Sequence, residues 1–389
     1  MTLITKKISL LSLVLFCFSL NLNAEQILMR LFASSKPGSA IFKPIAGDYA
    51  LELPGMEPIA IPIGEQILIY KDNNRIIVKT RTANGLSVDS VNIRGAKGGK
   101  FSLSTVGSGF ERRYYEDNLL CRNNKGLFLL LNETDVERVI PGIVRAEGGA
   151  GRHPEFYKTQ AIITRTFAYR NIDKHINDGY NLCDDIHCQA YHGISDDLSI
   201  QSAVQSTADV VVTDSDSVLI MATFHSNCGG ETASAAEAWV TDVPYLKKVT
   251  DPYCLKSNNA LWTKTIPLDS WNLFLAKNGY SRSIKDSSLL IFSQNNGRKR
   301  FFESGDSLKI PVTTIRSEFS LRSTFFSFSP ESSALLLKGK GYGHGVGLCQ
   351  EGAMVMATSG KTFEEIISFY YNGVQLTRVK DARLPPVVF

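Results

Sequence analysis

Three groups of residues, and one glycine-rich segment, carry side chains whose types and spacing suit chemistry. Glu147 closes an apolar segment with helical spacing (Val139, Ile143, Val144) and is followed at once by Gly148-Gly-Ala-Gly151. At a helix C-terminus a carboxylate faces the negative end of the helix dipole, and partial burial opposes ionisation in the same sense. Both effects favour the protonated form that a general acid needs near neutral pH. Spacing alone favours an exposed last-turn glutamate before a glycine cap. His175, Cys183, His187, Cys188 and His192 form the second group. Two thiols among imidazoles suit zinc, while in an oxidising compartment Cys183 and Cys188 equally suit a disulfide. The third group is Phe224-His-Ser-Asn-Cys-Gly-Gly-Glu-Thr232, where His225, Ser226, Cys228 and Thr232 stand beside two glycines. It reads as a polar pocket wall at a strand end. Cys228 with His225 or His344 forms a candidate nucleophilic pair, and Cys228 with Cys254 a candidate disulfide. Finally, Gly339–Ala353 sets six glycines around Tyr342, His344 and Gln350, with Cys349 as a further thiol that lacks an evident orienting partner. Glycine at this density marks sharp turns or close approach of the backbone to a ligand.

The elements that must position these residues follow from pattern. Residues 25–131 read as β-rich: Ile27-Leu-Met-Arg-Leu-Phe32, Ile67-Leu-Ile-Tyr70, Arg75-Ile-Ile-Val-Lys-Thr80 and Gly126-Leu-Phe-Leu-Leu-Leu131 are short apolar or alternating runs between turn signals. The pattern changes at Asn132. Thr134-Asp-Val-Glu137 fits a capping box, predicting a helix to Glu147 that kinks or restarts at Pro141. A second helix is expected from His153-Pro-Glu155, with Phe156, Ile163 and Phe167 on one face and the small Ala161, Thr164 and Ala168 permitting close packing. Val210–Thr213 and Val218–Phe224 suggest a hairpin, residues 255–330 a polar, strand-like stretch, and Thr362–Tyr370 a last short helix. The fold class expected is α+β, strand-dominated, with the helices of residues 135–175 packed on a sheet beside a substrate cleft.

Composition bounds the setting. Lys6, Lys7, the apolar run Ile8–Leu20 and Leu22-Asn23-Ala24 read as a secretory signal over residues 1–24. The apolar run is short for a membrane span, which takes ~20 residues, so membrane association is expected only if the leader stays uncleaved. Its removal takes Lys6, Lys7 and Cys17 with it, leaving a net charge near +2 and six cysteines, Cys121, Cys183, Cys188, Cys228, Cys254 and Cys349. Near-neutral charge argues against nucleic acid as a partner, and 43% hydrophobic residues argue against disorder.

Taken in order along the chain, the motifs resemble the stage II sporulation protein D family, which includes the amidase enhancers. The resemblance rests on Pro141-Gly-Ile-Val-Arg-Ala-Glu147, Pro154-Glu-Phe-Tyr-Lys-Thr-Gln-Ala161, Arg165-Thr-Phe-Ala-Tyr169, Cys188-Gln-Ala-Tyr191, His225-Ser-Asn-Cys-Gly-Gly230, Pro244-Tyr-Leu246, Gly341–Ala353 and Tyr370-Tyr-Asn-Gly-Val-Gln-Leu376. It covers roughly residues 130–377, making 132–377 the catalytic region and 378–389 a tail. It implies an exported lytic transglycosylase that cuts peptidoglycan glycan strands lacking stem peptides, in septal or sporulation-type wall remodelling. Glu147 falls on the catalytic glutamate. Structural zinc falls on Cys183 and Cys188 with His187 or His175, and no cofactor is implied for catalysis. His225, Ser226, Tyr342, His344 and Gln350 are expected to bind substrate. A non-catalytic glycan-binding enhancer of a cell-wall amidase is the alternative reading. Three positions depart from the family pattern: Cys349 replaces serine, Glu351 an aromatic residue, and Gly148–Gly151 a Met-Pro stretch.

Overall fold

Gln26–Leu31 buries Ile27, Met29 and Leu31 and leaves the intervening side chains less covered, as a strand with one face on a core must. The computed structural model describes residues 26–107, 111–239, 241–280, 287–295, 297–304 and 308–385. The expected leader, with Cys17, lies outside the described residues. Among the described residues, this alternation builds two sheets from the first part of the chain. One has seven strands, in the order Leu182–Cys183, Gln26–Leu31, Leu127–Asp135, Asn118–Asn124, Ser90–Gly95, Tyr49–Glu52 and Ile59–Ile61. The other has six, in the order Arg112–Glu116, Lys100–Thr105, Ser39–Ala46, Ile67–Asp72, Arg75–Lys79 and Asn84–Val88. Phe42 and Phe101 of the second meet Tyr49 of the first, with ring centroids 5.4 and 6.1 Å away, so the sheets share a core. Gln26–Leu31 pairs in parallel with Leu182–Cys183, which brings a candidate metal ligand to the sheet edge.

The helices among the described residues are α1 (Val136–Gly148), α2 (Pro154–Arg170), α3 (Leu198–Ser206), α4 (Ala235–Ala238), α5 (Leu268–Lys277), α6 (Val312–Glu318), α7 (Gln350–Thr358) and α8 (Phe363–Tyr370). Strands and helices together give the α+β class expected. α1 grows directly from Leu127–Asp135, so the boundary expected between 131 and 132 falls inside one strand, and buried residues from both sides form one core. α2 sits among α1, α3, α7 and α8 and is buried on almost every side, including its polar Gln160, Thr164 and Arg165. Arg165 is 0% exposed. Its guanidinium donates to both carboxylate oxygens of Glu137 at 2.5 and 2.9 Å and to the Val210 carbonyl at 3.0 Å, which binds α1 to α2.

Some local expectations are corrected. α1 is capped by Asp135, which accepts the Glu137 N–H at 2.9 Å. The box on Thr134 and Glu137 does not form, because Thr134 Oγ1 donates to Asp117 at 2.5 Å and Glu137 turns to Arg165. The helix does not restart at Pro141 but runs through it. The hairpin after Thr213 forms only in its first residues, with Thr213 opposite Leu219 and the Ile220 N–H on the Val212 carbonyl at 3.1 Å; Val218–Phe224 is no continuous strand, and Val210–Thr213 also pairs with Gln375–Arg378. The tail expected from 378 is tied to the body there and again at Arg383, whose carbonyl accepts the Leu219 N–H. The described residues between 261 and 340 fold around a second core in which Trp271, Phe302 and Phe328 meet. No helix among the described residues is long and apolar enough to cross a membrane.

Candidate functional site

The segments singled out in the sequence converge on one cleft of about 330 Å³. Its walls hold Glu147, His187 and Cys188, His225 and Ser226, and Tyr342, His344 and Gln350. A larger hollow of about 670 Å³ over Ile41, Leu68 and Arg81 contains neither histidine nor cysteine, so the chemistry points to the smaller cleft. Glycine makes the convergence feasible. Gly341, Gly343, Gly345 and Gly347 have φ of 75°, 111°, 85° and 72°, a region that side chains disfavour. A Cβ at Gly343 would stand 2.7 Å from that of His225, and one at Gly347 would overlap the Thr223 carbonyl. Leu348–Cys349 then pairs in parallel with Phe224–His225. The segment is not loop throughout, because α7 begins at Gln350.

Glu147 occupies the last turn of α1. Its Oε1 accepts the Ala190 N–H at 2.7 Å, which leaves Oε2 to carry a proton. Burial holds the carboxyl pKa above its ordinary value, and the Ala190 hydrogen bond opposes this only in part. Gln350 Nε2 donates to the Glu147 carbonyl at 3.3 Å and to Gln160 Oε1 at 3.2 Å. Expected as a substrate-binding residue, Gln350 thus directs its amide N–H groups at the protein. It ties the turn bearing Glu147 to α2 and α7. Gln350→Ala should lower kcat by about 10²-fold through displacement of Glu147, with little change in KM. A raised KM at unchanged kcat would return Gln350 to the substrate contacts.

His225 Nδ1 lies 3.1 Å from the Val346 carbonyl oxygen. Only a protonated Nδ1 satisfies that contact, so Nε2 is a bare acceptor. It is buried and has no partner among the described residues. Burial, then His344 and Arg298, push the His225 pKa well below the ordinary value. His344 Nδ1 accepts the Val346 N–H at 3.1 Å, and burial lowers its pKa to about 4. The two rings, 5.5 Å apart, are therefore neutral near pH 7 and act as hydrogen-bonding groups. Ser226 lines the cleft, and Tyr342, 44% exposed, stands at its rim. Sequence reasoning missed Arg298, which donates to the Cys228 and Glu231 carbonyls at 2.9 Å each and lies 4.2 Å over the Phe325 ring. Its only signal was the basic triplet Arg298-Lys-Arg300.

The second group also comes together. Donor atoms of His175, Cys183, His187 and Cys188 all lie within 4.8 Å of one another. His175 Nε2 is 3.5 Å from Cys188 Sγ, and His187 Nδ1 is 3.9 Å from both thiols. Tetrahedral zinc with bonds of about 2.0–2.3 Å needs donor separations of about 3.3–3.8 Å, so these residues fit it. His175 Nδ1 is oriented by Asp178 Oδ2 at 3.2 Å, as metal-bound imidazoles usually are. Asp184 anchors the loop to the first strand by accepting the Phe32 and Ala33 N–H groups at 2.5 and 2.9 Å. His192 is exposed and outside the cluster.

The family described as Stage II sporulation protein matches residues 124–213. An uncharacterised protein of Brachyspira hyodysenteriae is 28% identical over 317 residues, 80% of this chain and 85% of that protein. Stage II sporulation protein D of Bacillus amyloliquefaciens is 30% identical over 258 residues, 62% of this chain and 74% of that protein. The chain belongs to the stage II sporulation protein D family. An amidase enhancer of Bacillus subtilis (strain 168) is 26% identical over 289 residues, 61% of this chain and 40% of its own length. The family segment holds Glu147 and the four candidate metal ligands, whereas His225, Ser226, Tyr342, His344 and Gln350 lie beyond it.

Two departures from the family pattern acquire structural roles in this member. Glu351 accepts from Asn227 Nδ2 at 2.6 Å and Asn259 Nδ2 at 2.5 Å and so ties two loops to α7. Gly149 accepts the Tyr157 hydroxyl at 3.1 Å, which closes the loop after Glu147. Neither Cys228 nor Cys349 reaches the cleft. Cys228 and Cys349 are 0% exposed and absent from the cleft walls, and burial raises the Cys349 pKa. Thr232 is likewise buried, accepting the Val249 N–H at 2.8 Å. The six described cysteines are unbridged.

Proposed function

We propose that this protein is a peptidoglycan lytic transglycosylase. The observation that supports this reading is Glu147: a desolvated carboxyl, with one oxygen held by Ala190 and the other free, in the wall of a cleft that also holds the neutral His225 and His344. Protonated Oε2 gives its proton to the glycosidic oxygen between N-acetylmuramic acid and N-acetylglucosamine as the C1–O bond breaks. The resulting carboxylate takes the proton of the muramic C6 hydroxyl while that oxygen bonds C1, closing a 1,6-anhydro ring. No water is activated, and among the described residues lining the cleft Glu147 is the one carboxyl. This suits an internal nucleophile better than a paired-carboxylate hydrolysis. The bare His225 Nε2 accepts from a sugar hydroxyl or amide. Strands without stem peptides are the substrate class that the family resemblance implies.

His175, Cys183, His187 and Cys188 would hold zinc as a structural tie. His187 and Cys188 line the cleft and Ala190 follows closely, so this tie fixes the N–H that orients Glu147. The setting is the cell wall outside the membrane. The test is product mass analysis on purified denuded glycan strands: 1,6-anhydro ends are expected, and hydrolysed reducing ends would refute the scheme. A second reading, a glycan-binding enhancer of a wall amidase, is favoured by the match to the relative named amidase enhancer. It requires binding of glycan and stimulation of the amidase with no anhydro product from the protein alone.

A further inference from the structure

We infer a second, fully buried zinc site, built by Cys228, Cys254, Cys349 and Asp251. Their donor atoms lie within 4.8 Å of one another, and all four residues are 0% exposed. Cys228 Sγ is 3.4 Å from Cys254 Sγ and 3.2 Å from Asp251 Oδ2. These separations are close to the edges of a tetrahedron with bonds of about 2.0–2.3 Å and far from a bonded sulfur pair at about 2.05 Å.

The surroundings offer this group hydrogen-bond donors. Cys349 Sγ accepts two backbone N–H groups, from Cys228 at 3.3 Å and Gly352 at 3.4 Å. Asp251 accepts the Tyr370 hydroxyl at 3.0 Å and the Tyr253 N–H at 2.9 Å. Among the described residues no basic side chain pairs with Asp251, and a buried carboxylate demands a compensating charge. A dication supplies it. Arg298, on the Cys228 carbonyl, offsets one of the two negative charges that remain. Three thiolates select a soft ion such as zinc over calcium or magnesium, and four protein donors leave no open position, so the ion is structural. Binding ionises the three thiols, and their protons pass to solvent with no change of oxidation state.

The site would join three stretches distant in sequence: the loop after Phe224–His225, the turn Tyr253–Lys256 and the start of α7. Gln350 follows Cys349 directly, and His225 and Ser226 lie within three residues of Cys228. The ion would therefore clamp the part of the cleft wall that carries His225, Ser226 and Gln350, independently of the His175–Cys188 cluster.

Crystals of the wild-type chain, purified without chelator, should show an anomalous peak at the zinc edge between these sulfurs. Absence of a peak, or electron density for a Cys228–Cys254 disulfide, would overturn the site. Metal analysis gives a second measurement. The Cys183→Ser/Cys188→Ser protein should retain one zinc per chain, and adding Cys254→Ser should remove it. A metal count unchanged by Cys254→Ser would also overturn the assignment.

Discussion

Glu147→Gln will fold as the wild type does and release 1,6-anhydro products at least about 10²-fold more slowly, the low end of what general acid catalysis supplies. The amide oxygen can still accept the Ala190 N–H, so the turn keeps its geometry while the transferable proton is lost. The same substitution tests the electrostatics. The folded-state pKa of Glu147 is raised above its unfolded value by burial. Its contribution to stability is thus fully present below the unfolded value and is lost as pH rises through the folded one. Glu147→Gln escapes that loss, so near pH 8 it should melt no lower than the wild type, and the two melting temperatures should converge or cross as pH falls toward 4. Wild-type turnover should decline as pH rises through the folded-state pKa, because the first step needs the protonated acid. Wild-type cleavage rates in the variant would end the assignment. An unchanged rate of amidase stimulation by the variant, with no anhydro product from either form, would favour the enhancer.

Glu137→Leu should destabilise the protein by about 3–5 kcal/mol, the cost of stranding one member of a buried ion pair. The case is strong because Arg165 is wholly enclosed, while Glu137 satisfies two of its N–H groups. Its remaining partners, the Val210 and Val204 carbonyls at 3.0 and 3.5 Å, carry no net charge. Glu137→Leu combined with Arg165→Met removes both charges and should recover much of the loss. Denaturant midpoints for the four members of this cycle would measure the coupling. A loss below about 1 kcal/mol, the range of a solvated pair, would mean that water reaches the guanidinium.

The parts of the molecule readable beforehand are those specified by neighbours in sequence. α2 starts at His153-Pro-Glu155 as expected, and His153 caps it, accepting the Glu155 N–H through Nδ1 at 3.3 Å. Thr362 and Glu365 make the capping box that opens α8. The end of α1 beside Glu147 and the sharp turns of the glycine-rich segment were legible for the same reason. What escaped depends on partners remote in the chain. Glu137 belongs to Arg165, 28 residues on, so a local box was the wrong reading. Gln350 reaches Glu147 and Gln160 across about two hundred residues, and no spacing rule reveals where its amide points. The strand Leu261–Pro267 buries only Trp262 and Ile266, too thin an alternation to announce a second core.

The parallel pairing at the sheet edge has a kinetic consequence. Gln26–Leu31 is the first strand of the described chain, yet its neighbours are Leu127–Asp135 and Leu182–Cys183. The Leu28 N–H finds the Asn181 side chain 153 residues later. Closing so long a stretch precedes any reward from the contact, and high contact order slows folding. The opening strand must therefore wait, one edge bare until about a third of the polypeptide has emerged and the other until about half. A chaperone that shields those bare edges should speed maturation far more than one that assists the helices.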